Sequence, residues 1–163
     1  MPIPSDIPLS RVPLPGLLEI ASETMFGDFH AELEAAGFGD IRPTHGCVFR
    51  FVRDEGMRLT AIAGAAGMTK QSVGEVVDDL VERGYVERFP DPADRRATLI
   101  RLTARGEEVQ GIAYELFAGV EKRWAARYGP ERFAQLRRLL EEIAAAEAPT
   151  AVPELSSPEL AGA

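Results

Sequence analysis

A run of polar side chains from Thr69 to Ser72 places a positive charge among several hydrogen-bonding groups. The Gln71 amide and the Ser72 hydroxyl can hydrogen-bond the edges of bases in DNA. Thr69 and Lys70 suit phosphate oxygens instead. Glu75 follows one helical turn after Gln71, where it can accept a hydrogen bond from a cytosine amino group. These side chains predict a surface that binds duplex DNA. The alternative is that they form the polar, solvated face of a helix.

A second candidate surface is a basic loop. Arg95 and Arg96 follow Asp94 among turn-forming residues, and Arg88 precedes the loop. Guanidinium groups on a narrow loop are attracted by the concentrated negative potential of a DNA minor groove. Asp94 can orient a neighbouring arginine through a charge-assisted pair. The loop therefore predicts minor-groove contacts, and a merely solvated loop is the alternative.

Two short helices are predicted to carry the first surface. Thr60 is the predicted N-cap of a bracing helix that Gly67 ends. Thr69 caps the next helix, which extends to about Arg83 and presents an apolar stripe to the core. The stripe consists of Val73, Val76, Val77 and Leu80. This order is typical of a helix-turn-helix, in which the second helix enters the major groove.

The second surface requires a β-hairpin directly after these helices. Residues 85–89 and 99–102 favour strands, and residues 91–94 (DPAD) favour a turn. Thr103 caps a long helix that ends before Gly129, and a last helix extends to about residue 147. The expected fold is mainly α, a winged helix-turn-helix with a two-stranded β-wing.

The remaining segments predict one domain between two tails. Five prolines among the first fifteen residues favour an extended arm over residues 1–16. Periodic apolar residues predict a first helix over about 17–36, and a short helix follows Pro43. The composition of residues 148–163 favours a disordered tail.

Composition excludes several classes of protein. The N-terminus resembles no secretory signal, and no apolar stretch is long enough to span a membrane. The single cysteine, Cys47, precludes an intrachain disulfide, which favours a cytoplasmic location. Its apolar neighbours favour a packed thiol over a redox sensor. With only His30 and His45 as histidines, we expect no enzyme, no cofactor and no metal site; a site at His45 and Cys47 is the weak alternative.

The charge distribution fits a nucleic-acid partner better than the net charge of -8 does. Residues 58–106 contain eight basic and seven acidic side chains, so the acidity lies outside the predicted DNA-binding region. Phosphate contacts need positive charge, which this region supplies.

The sequence resembles the MarR family of regulators, named for multiple antibiotic resistance, over roughly residues 17–147. The wing motif, with its spacing to Leu102, Thr103 and Gly106, is the most specific part of the likeness. The matching segments are residues 59–63 (LTAIA), 68–73 (MTKQSV), 80–88 (LVERGYVER), 91–96 (DPADRR) and 100–106 (IRLTARG).

The resemblance implies a homodimer and an effector. A winged helix-turn-helix would occupy about residues 43–103, and dimerisation helices about 17–36 and 104–147. Arg96 would reach the minor groove with Asp94 steadying it. A small aromatic effector would bind between the dimerisation and DNA-binding regions and weaken DNA binding. The residues chosen for its pocket, which are otherwise core residues, are Phe26, His30, His45, Phe49 and Phe117.

This chain departs from the family pattern at Glu75, Asp79 and Ala93, where relatives often have basic residues. The recognition helix, residues 69–83, thus has two basic and four acidic side chains, and we expect Glu75 and Asp79 to face solvent. The main expectation is a ligand-responsive repressor that binds a near-palindromic operator, with half-sites about 10 base pairs apart. A winged-helix protein-interaction module without specific DNA binding is the alternative that the acidic helix favours.

Overall fold

The computed structural model describes residues 8–147. The first part of the predicted arm, residues 1–7, and the predicted tail, residues 148–163, lie outside the described residues. The elements in chain order are α1 (Leu14–Leu33), α2 (Gly46–Phe49), β1 (Met57–Arg58), α3 (Leu59–Ala66), α4 (Lys70–Glu82), β2 (Val86–Asp91), β3 (Asp94–Leu102), α5 (Ala104–Tyr128) and α6 (Pro130–Glu147). The predominance of helix and the central hairpin confirm the predicted fold class.

The first helix begins earlier than predicted. A 3-10 turn at Leu9–Arg11 precedes α1, which starts at Leu14, so residues 8–16 are not an extended arm. Proline was interpreted as a helix breaker, but Pro15 lies in the first turn of α1, where the missing N–H would have no helical partner. After Leu33 the chain passes through a π-helical turn at Glu34–Phe38.

The helix-turn-helix is α3 and α4. Gly67 follows α3 with a left-handed backbone (φ 63°), which glycine adopts at little cost. The prediction that Thr60 caps α3 is wrong, because α3 starts at Leu59 and Arg58 occupies the N-cap position without a side-chain bond. Arg58 is extended because it belongs to β1. The strand therefore sets where the helix begins.

The wing is a three-stranded antiparallel sheet in the order β1-β3-β2. The hairpin pairs Val86 with Leu102 and Phe89 with Leu99, and β1 adds the pair of Met57 with Ile100. The sequence predicted the hairpin but not β1, since two residues show no periodicity.

One apolar core joins the helix-turn-helix to the long helices. Val73, Val77 and Leu80 of α4 are completely buried, which confirms the predicted stripe. Burying such side chains stabilises the fold by about 1.5–3 kcal/mol each. Phe29 of α1 and Val120 of α5 belong to the same core, so the position of α4 is tied to the long helices.

The start of α5 is fixed against the wing. Thr103 accepts a hydrogen bond from the Gly106 N–H (3.2 Å), which confirms the predicted cap. The Thr103 hydroxyl also donates to the Gly84 carbonyl (2.6 Å), just after α4. A Cβ on Gly106 would lie 2.1 Å from the Tyr85 carbonyl oxygen, closer than atoms can approach. The spacing of Thr103 and Gly106 thus locks α5 onto the end of the helix-turn-helix.

Of the helices in residues 8–147, none has the length and apolar character needed to cross a membrane.

Candidate nucleic-acid interface

The first turn of α4 is exposed and well capped. Thr69 accepts a hydrogen bond from the Ser72 N–H (3.1 Å), and the two hydroxyl oxygens lie 2.8 Å apart. The predicted cap is therefore confirmed, and both hydroxyls partly serve to hold the helix start. Lys70 and Gln71 extend from the same turn and are exposed. This turn can present a cation, an amide and a hydroxyl to a groove.

Glu75 lies beside Gln71 on the exposed face of α4. The Gln71 amide nitrogen donates to a Glu75 carboxylate oxygen (3.2 Å). Both side chains are exposed. This pair orients the Gln71 amide and leaves its carboxamide oxygen and second amide hydrogen to face a ligand.

Arg88 and Asp78 form an ion pair between β2 and α4. The Arg88 guanidinium donates to the Asp78 carboxylate (2.6 Å). The structure directs the Arg88 guanidinium toward the recognition helix, and the contact of Arg88 with DNA stays a prediction. Its positive charge therefore compensates the carboxylate of Asp78 on α4.

Asp79 is half-buried, so the prediction that it faces solvent is wrong. Arg83 donates to both of its carboxylate oxygens (2.9 and 3.0 Å), and Arg42 lies 3.6 Å away. His45 is hydrogen-bonded to Asp79 as well (2.7 Å). The hydrogen bonds from Arg83 are the main cause that holds the pKa of Asp79 at about 2. Asp79 therefore stabilises the protein fold, and its charge is compensated within it.

His45 is buried and both of its ring nitrogens are engaged. Nδ1 accepts from the Arg42 backbone N–H (3.1 Å), so Nε2 carries the proton and donates to Asp79. Burial is the main cause that lowers the pKa of His45. The choice of His45 as an effector-pocket residue is therefore corrected, because neither nitrogen is available to a ligand or a metal.

The wing tip is held by two aspartates. Asp91 is buried, and it accepts from Arg58 Nε (3.0 Å), Arg58 Nη2 (2.6 Å) and the Ala93 N–H (2.8 Å). The hydrogen bond from Arg58 is the main cause that lowers the pKa of Asp91. Asp94 accepts from the backbone N–H of Arg96 (3.1 Å). Asp94 thus holds Arg96 through its backbone N–H, and it also lies 3.8 Å from Arg58 Nη2.

Arg96 is exposed at this tip, as a minor-groove contact requires. The side chain of Arg95 lies outside the described residues. Arg101, on β3, donates to Glu87 (2.5 Å) and lies over the Phe89 ring (4.6 Å), so it is engaged within the sheet.

Sequence reasoning missed Arg58 as a residue of this site. Arg58 and Asp91 are 33 positions apart and meet only because β1 pairs with β3. A short strand before the helix-turn-helix leaves no periodic signal. The sole sequence cue was an isolated basic residue next to the bracing helix.

The aromatic residues chosen for an effector pocket fall into two groups. Phe26 and Phe117 lie edge to face (5.7 Å between ring centroids), and Phe29 stacks on Phe117 (3.9 Å) and meets His30 (5.1 Å). Phe26 is about half exposed (48%). We call Phe26, Phe29, His30 and Phe117 the α1–α5 aromatic cluster.

Phe49, the fifth residue chosen for that pocket, packs against Tyr85 instead (6.0 Å between ring centroids). Its carbonyl accepts a hydrogen bond from Gln110 (2.8 Å). The structure therefore brings Phe26, His30 and Phe117 together and places Phe49 against the end of the helix-turn-helix.

Cys47 is half-buried, and its thiol donates to the Thr44 carbonyl (3.1 Å). Burial raises the pKa of Cys47, which disfavours the reactive thiolate. This environment supports the packed-thiol interpretation.

The fold and this surface define a class of protein. A capped, exposed helix start lies on α4, and an exposed arginine lies at the tip of the hairpin directly after it. This arrangement is that of a winged helix-turn-helix DNA-binding protein.

Comparison with known proteins narrows the class. Residues 40–97 match the model of the MarR family. The chain is 32% identical over 103 residues to the transcriptional regulator HosA of Escherichia coli O111:H-, covering 61% of this chain and 76% of HosA. The chain belongs to the MarR family of transcriptional regulators.

Solved structures of the family have the same fold. The reduced form of MarR from E. coli superposes with a TM-score of 0.71 at 21% identity, covering 81% of this chain and 96% of MarR. CouR from Rhodococcus jostii RHA1, bound to p-coumaroyl-CoA, superposes with a TM-score of 0.62 at 25% identity, covering 83% of this chain and 92% of CouR.

Proposed function

We propose that this chain is a cytoplasmic, ligand-responsive repressor that binds a near-palindromic operator as a homodimer. Lys70, Gln71 and Ser72 enter the major groove, and Arg96 enters the adjoining minor groove. The observation that carries the proposal is the joint exposure of the first turn of α4 and of Arg96 on elements locked to one core. Two such units related by a two-fold axis require half-sites about 10 base pairs apart.

The acidic residues of α4 are less of an obstacle than their number suggests. Asp78 is paired with Arg88, and Asp79 with Arg83. Of the four carboxylates, Glu75 and Glu82 are exposed and have no arginine partner among the described residues, and Glu82 lies at the far end of the helix. The feature that favoured a protein-interaction module is thus largely compensated within the fold, which supports DNA binding.

Exposed apolar faces support the homodimer. On α6 the exposed apolar residues recur at helical spacing, and α1 has a second set of exposed apolar residues. Apolar faces of this kind on a single chain usually mark an interface. We propose that a second copy of the chain covers these faces. Both helices flank the DNA-binding region, so a dimer formed through them would link two DNA-binding regions. The residues are Leu14, Leu17, Leu18, Leu136, Leu139, Leu140 and Ile143.

A small aromatic effector is proposed to bind at the α1–α5 aromatic cluster. Phe26 is about half exposed there, and the cluster lies on helices that also belong to the core of the helix-turn-helix. The likeness to CouR, which was solved with p-coumaroyl-CoA, supports an aromatic ligand class. Adding such a ligand to the complex with operator should release the DNA.

A gel-shift titration against DNA from the chain's own promoter tests the proposed function. At physiological salt we expect tighter binding to this DNA than to a scrambled duplex of equal length. Because phosphate contacts release counterions, affinity should also fall steeply as salt rises. Equal affinity for both duplexes, or binding that salt does not weaken, contradicts the proposal.

A further inference from the structure

The strongest additional signal in the structure concerns which bases this surface can read. Gln71 and Glu75 are four residues apart, so they lie on the same face of α4, in the turns that a helix-turn-helix directs into the major groove. Both are exposed, and they are joined by a hydrogen bond. Because Asp78 and Asp79 are paired elsewhere, Glu75 is the carboxylate that this face presents to the groove.

The hydrogen bond fixes which groups the pair presents. The Gln71 amide nitrogen uses one of its two hydrogens on Glu75 Oε1. The second amide hydrogen and the carboxamide oxygen remain for a base. Glu75 keeps its other oxygen, Oε2. The pair therefore presents two acceptor oxygens and one donor hydrogen.

The acceptor oxygens of this pair favour bases that present hydrogen-bond donors. In the major groove the donors are the exocyclic amino groups, N6 of adenine and N4 of cytosine. Guanine and thymine present acceptor oxygens at the same edge, and these repel a carboxylate. The Gln71 oxygen and its remaining N–H match N6 and N7 of adenine, while a lone carboxylate oxygen matches N4 of cytosine.

We propose that Gln71 and Glu75 act as one specificity-determining pair that requires adenine opposite Gln71 and cytosine opposite Glu75, at neighbouring base pairs of each half-site. This inference rests on the proposed function, since it assumes that α4 enters the major groove. In this proposal Glu75 contributes to base recognition in two ways. Its carboxylate holds the Gln71 amide in the orientation that contacts the base, and it disfavours guanine and thymine.

The test is selection of bound duplexes from a random-sequence DNA pool by the full chain and by Glu75→Gln. The wild type should select adenine and cytosine at adjacent positions of both half-sites. Replacing the selected cytosine by thymine should weaken binding roughly ten-fold or more. Glu75→Gln should lose most of this discrimination, because an amide also offers a donor to thymine O4 or guanine O6.

Glu82→Gln is the matched control. It removes the same charge from an exposed position of the same helix, at the end away from the first turn, and should leave the selected sequence unchanged. Substituting purine for the selected adenine removes only the N6 amino group and should weaken wild-type binding by a similar factor.

Two results would overturn the inference while leaving the proposed function intact. The first is a palindromic consensus with guanine or thymine at the Glu75 position. The second is a consensus that Glu75→Gln reads with undiminished discrimination. A wild type that enriches no sequence from the pool would overturn the proposed function itself, and this inference with it.

Discussion

Single residues decide how this surface is charged. The chain is acidic overall, yet at the recognition helix each half-buried or paired carboxylate has an arginine: Asp79 has Arg83, and Asp78 has Arg88. At the wing, Arg58 neutralises the buried Asp91. The exposed pair of Asp78 with Arg88 adds little to stability. The consequence of these pairs here is functional, because they remove negative charge from the face that must approach phosphates.

Arg96 is the residue on which we propose that DNA binding by the wing depends. Replacing it by alanine should weaken operator binding about ten-fold, because a contact of this kind contributes about 1–3 kcal/mol. The Asp94 bond to the Arg96 backbone is retained in this variant, so the loop should keep its shape. Fluorescence anisotropy with labelled operator measures the change.

Lys122→Ala is the control for net charge in that experiment. Lys122 is exposed on α5, away from the wing, and its loss should leave the affinity within about two-fold, as surface charges far from the DNA are screened by salt. Binding by Arg96→Ala that equals that of Lys122→Ala would remove the wing from the mechanism.

At the scale of elements, the close packing of α5 against the end of the helix-turn-helix depends on the absence of a side chain at Gly106. Gly106→Ala would place a Cβ 2.1 Å from the Tyr85 carbonyl oxygen, so α5 must shift. We expect a loss of about 1–3 kcal/mol in the free energy of unfolding, as for other overpacked sites. Urea denaturation followed by circular dichroism measures it.

Gly111→Ala on the same helix is the matched control. No atom from outside its own stretch of helix lies within 4 Å of the added Cβ, and alanine favours helix, so this variant should gain about 0.5–1 kcal/mol. Equal effects of the two substitutions would show that the contact with Tyr85 does not limit the position of α5.

The bracing of α4 by His45 predicts a pH dependence of stability. Burial lowers the pKa of His45, whose ring faces Asp79, Arg42 and Arg83. Burial likewise lowers the pKa of His30. The unfolded state then binds more protons than the folded state near pH 6.5 and below. Stability should therefore be complete above that pH and decrease as the pH falls, by at most about 1.4 kcal/mol per pH unit for each histidine.

Urea titrations between pH 7.5 and 5.5 check this dependence. His45→Gln keeps a side chain that can bond to Asp79 but cannot titrate, so its slope with pH should be smaller than that of the wild type. The decisive comparison is with His30→Gln. If only His30→Gln reduces the slope, the buried ring of His45 is not the group that titrates.

Sequence predicted those parts of the elements that local patterns encode. The caps at Thr69 and Thr103, the turn at Gly67 and the buried face of α4 follow from neighbours within one or two turns. The pairs Arg58 with Asp91 and His45 with Asp79 join positions more than thirty residues apart. Their side chains also fit exposed surfaces, so no local pattern distinguishes them. The burial of Asp79 was missed for that reason.

At the scale of the whole molecule, the proposed binding to a near-palindromic operator requires two copies of the chain. Leu139 is exposed in the middle of the apolar face of α6 (54%). Leu139→Glu should convert the dimer to a monomer, since a carboxylate buried at an interface without a partner is costly. Light scattering coupled to size-exclusion chromatography gives the mass. Operator affinity should fall with the dimer.

Gln135→Glu is the control for the added charge, because Gln135 is also exposed on α6 but belongs to no apolar stripe. It should leave the mass at twice 17.7 kDa. A Leu139→Glu variant that keeps this mass would place the dimer interface elsewhere.

We propose that the first turn of α4 and the wing of each protomer bind adjoining grooves of one operator. A dimethyl-sulfate footprint of the full chain on its own promoter DNA, at physiological salt, distinguishes the two grooves, because the reagent methylates guanine N7 in the major groove and adenine N3 in the minor groove. Binding of this kind should protect two clusters of guanine N7 about 10 base pairs apart, flanked symmetrically by protected adenine N3. A single unpaired patch, or uniform protection along the fragment, would contradict it.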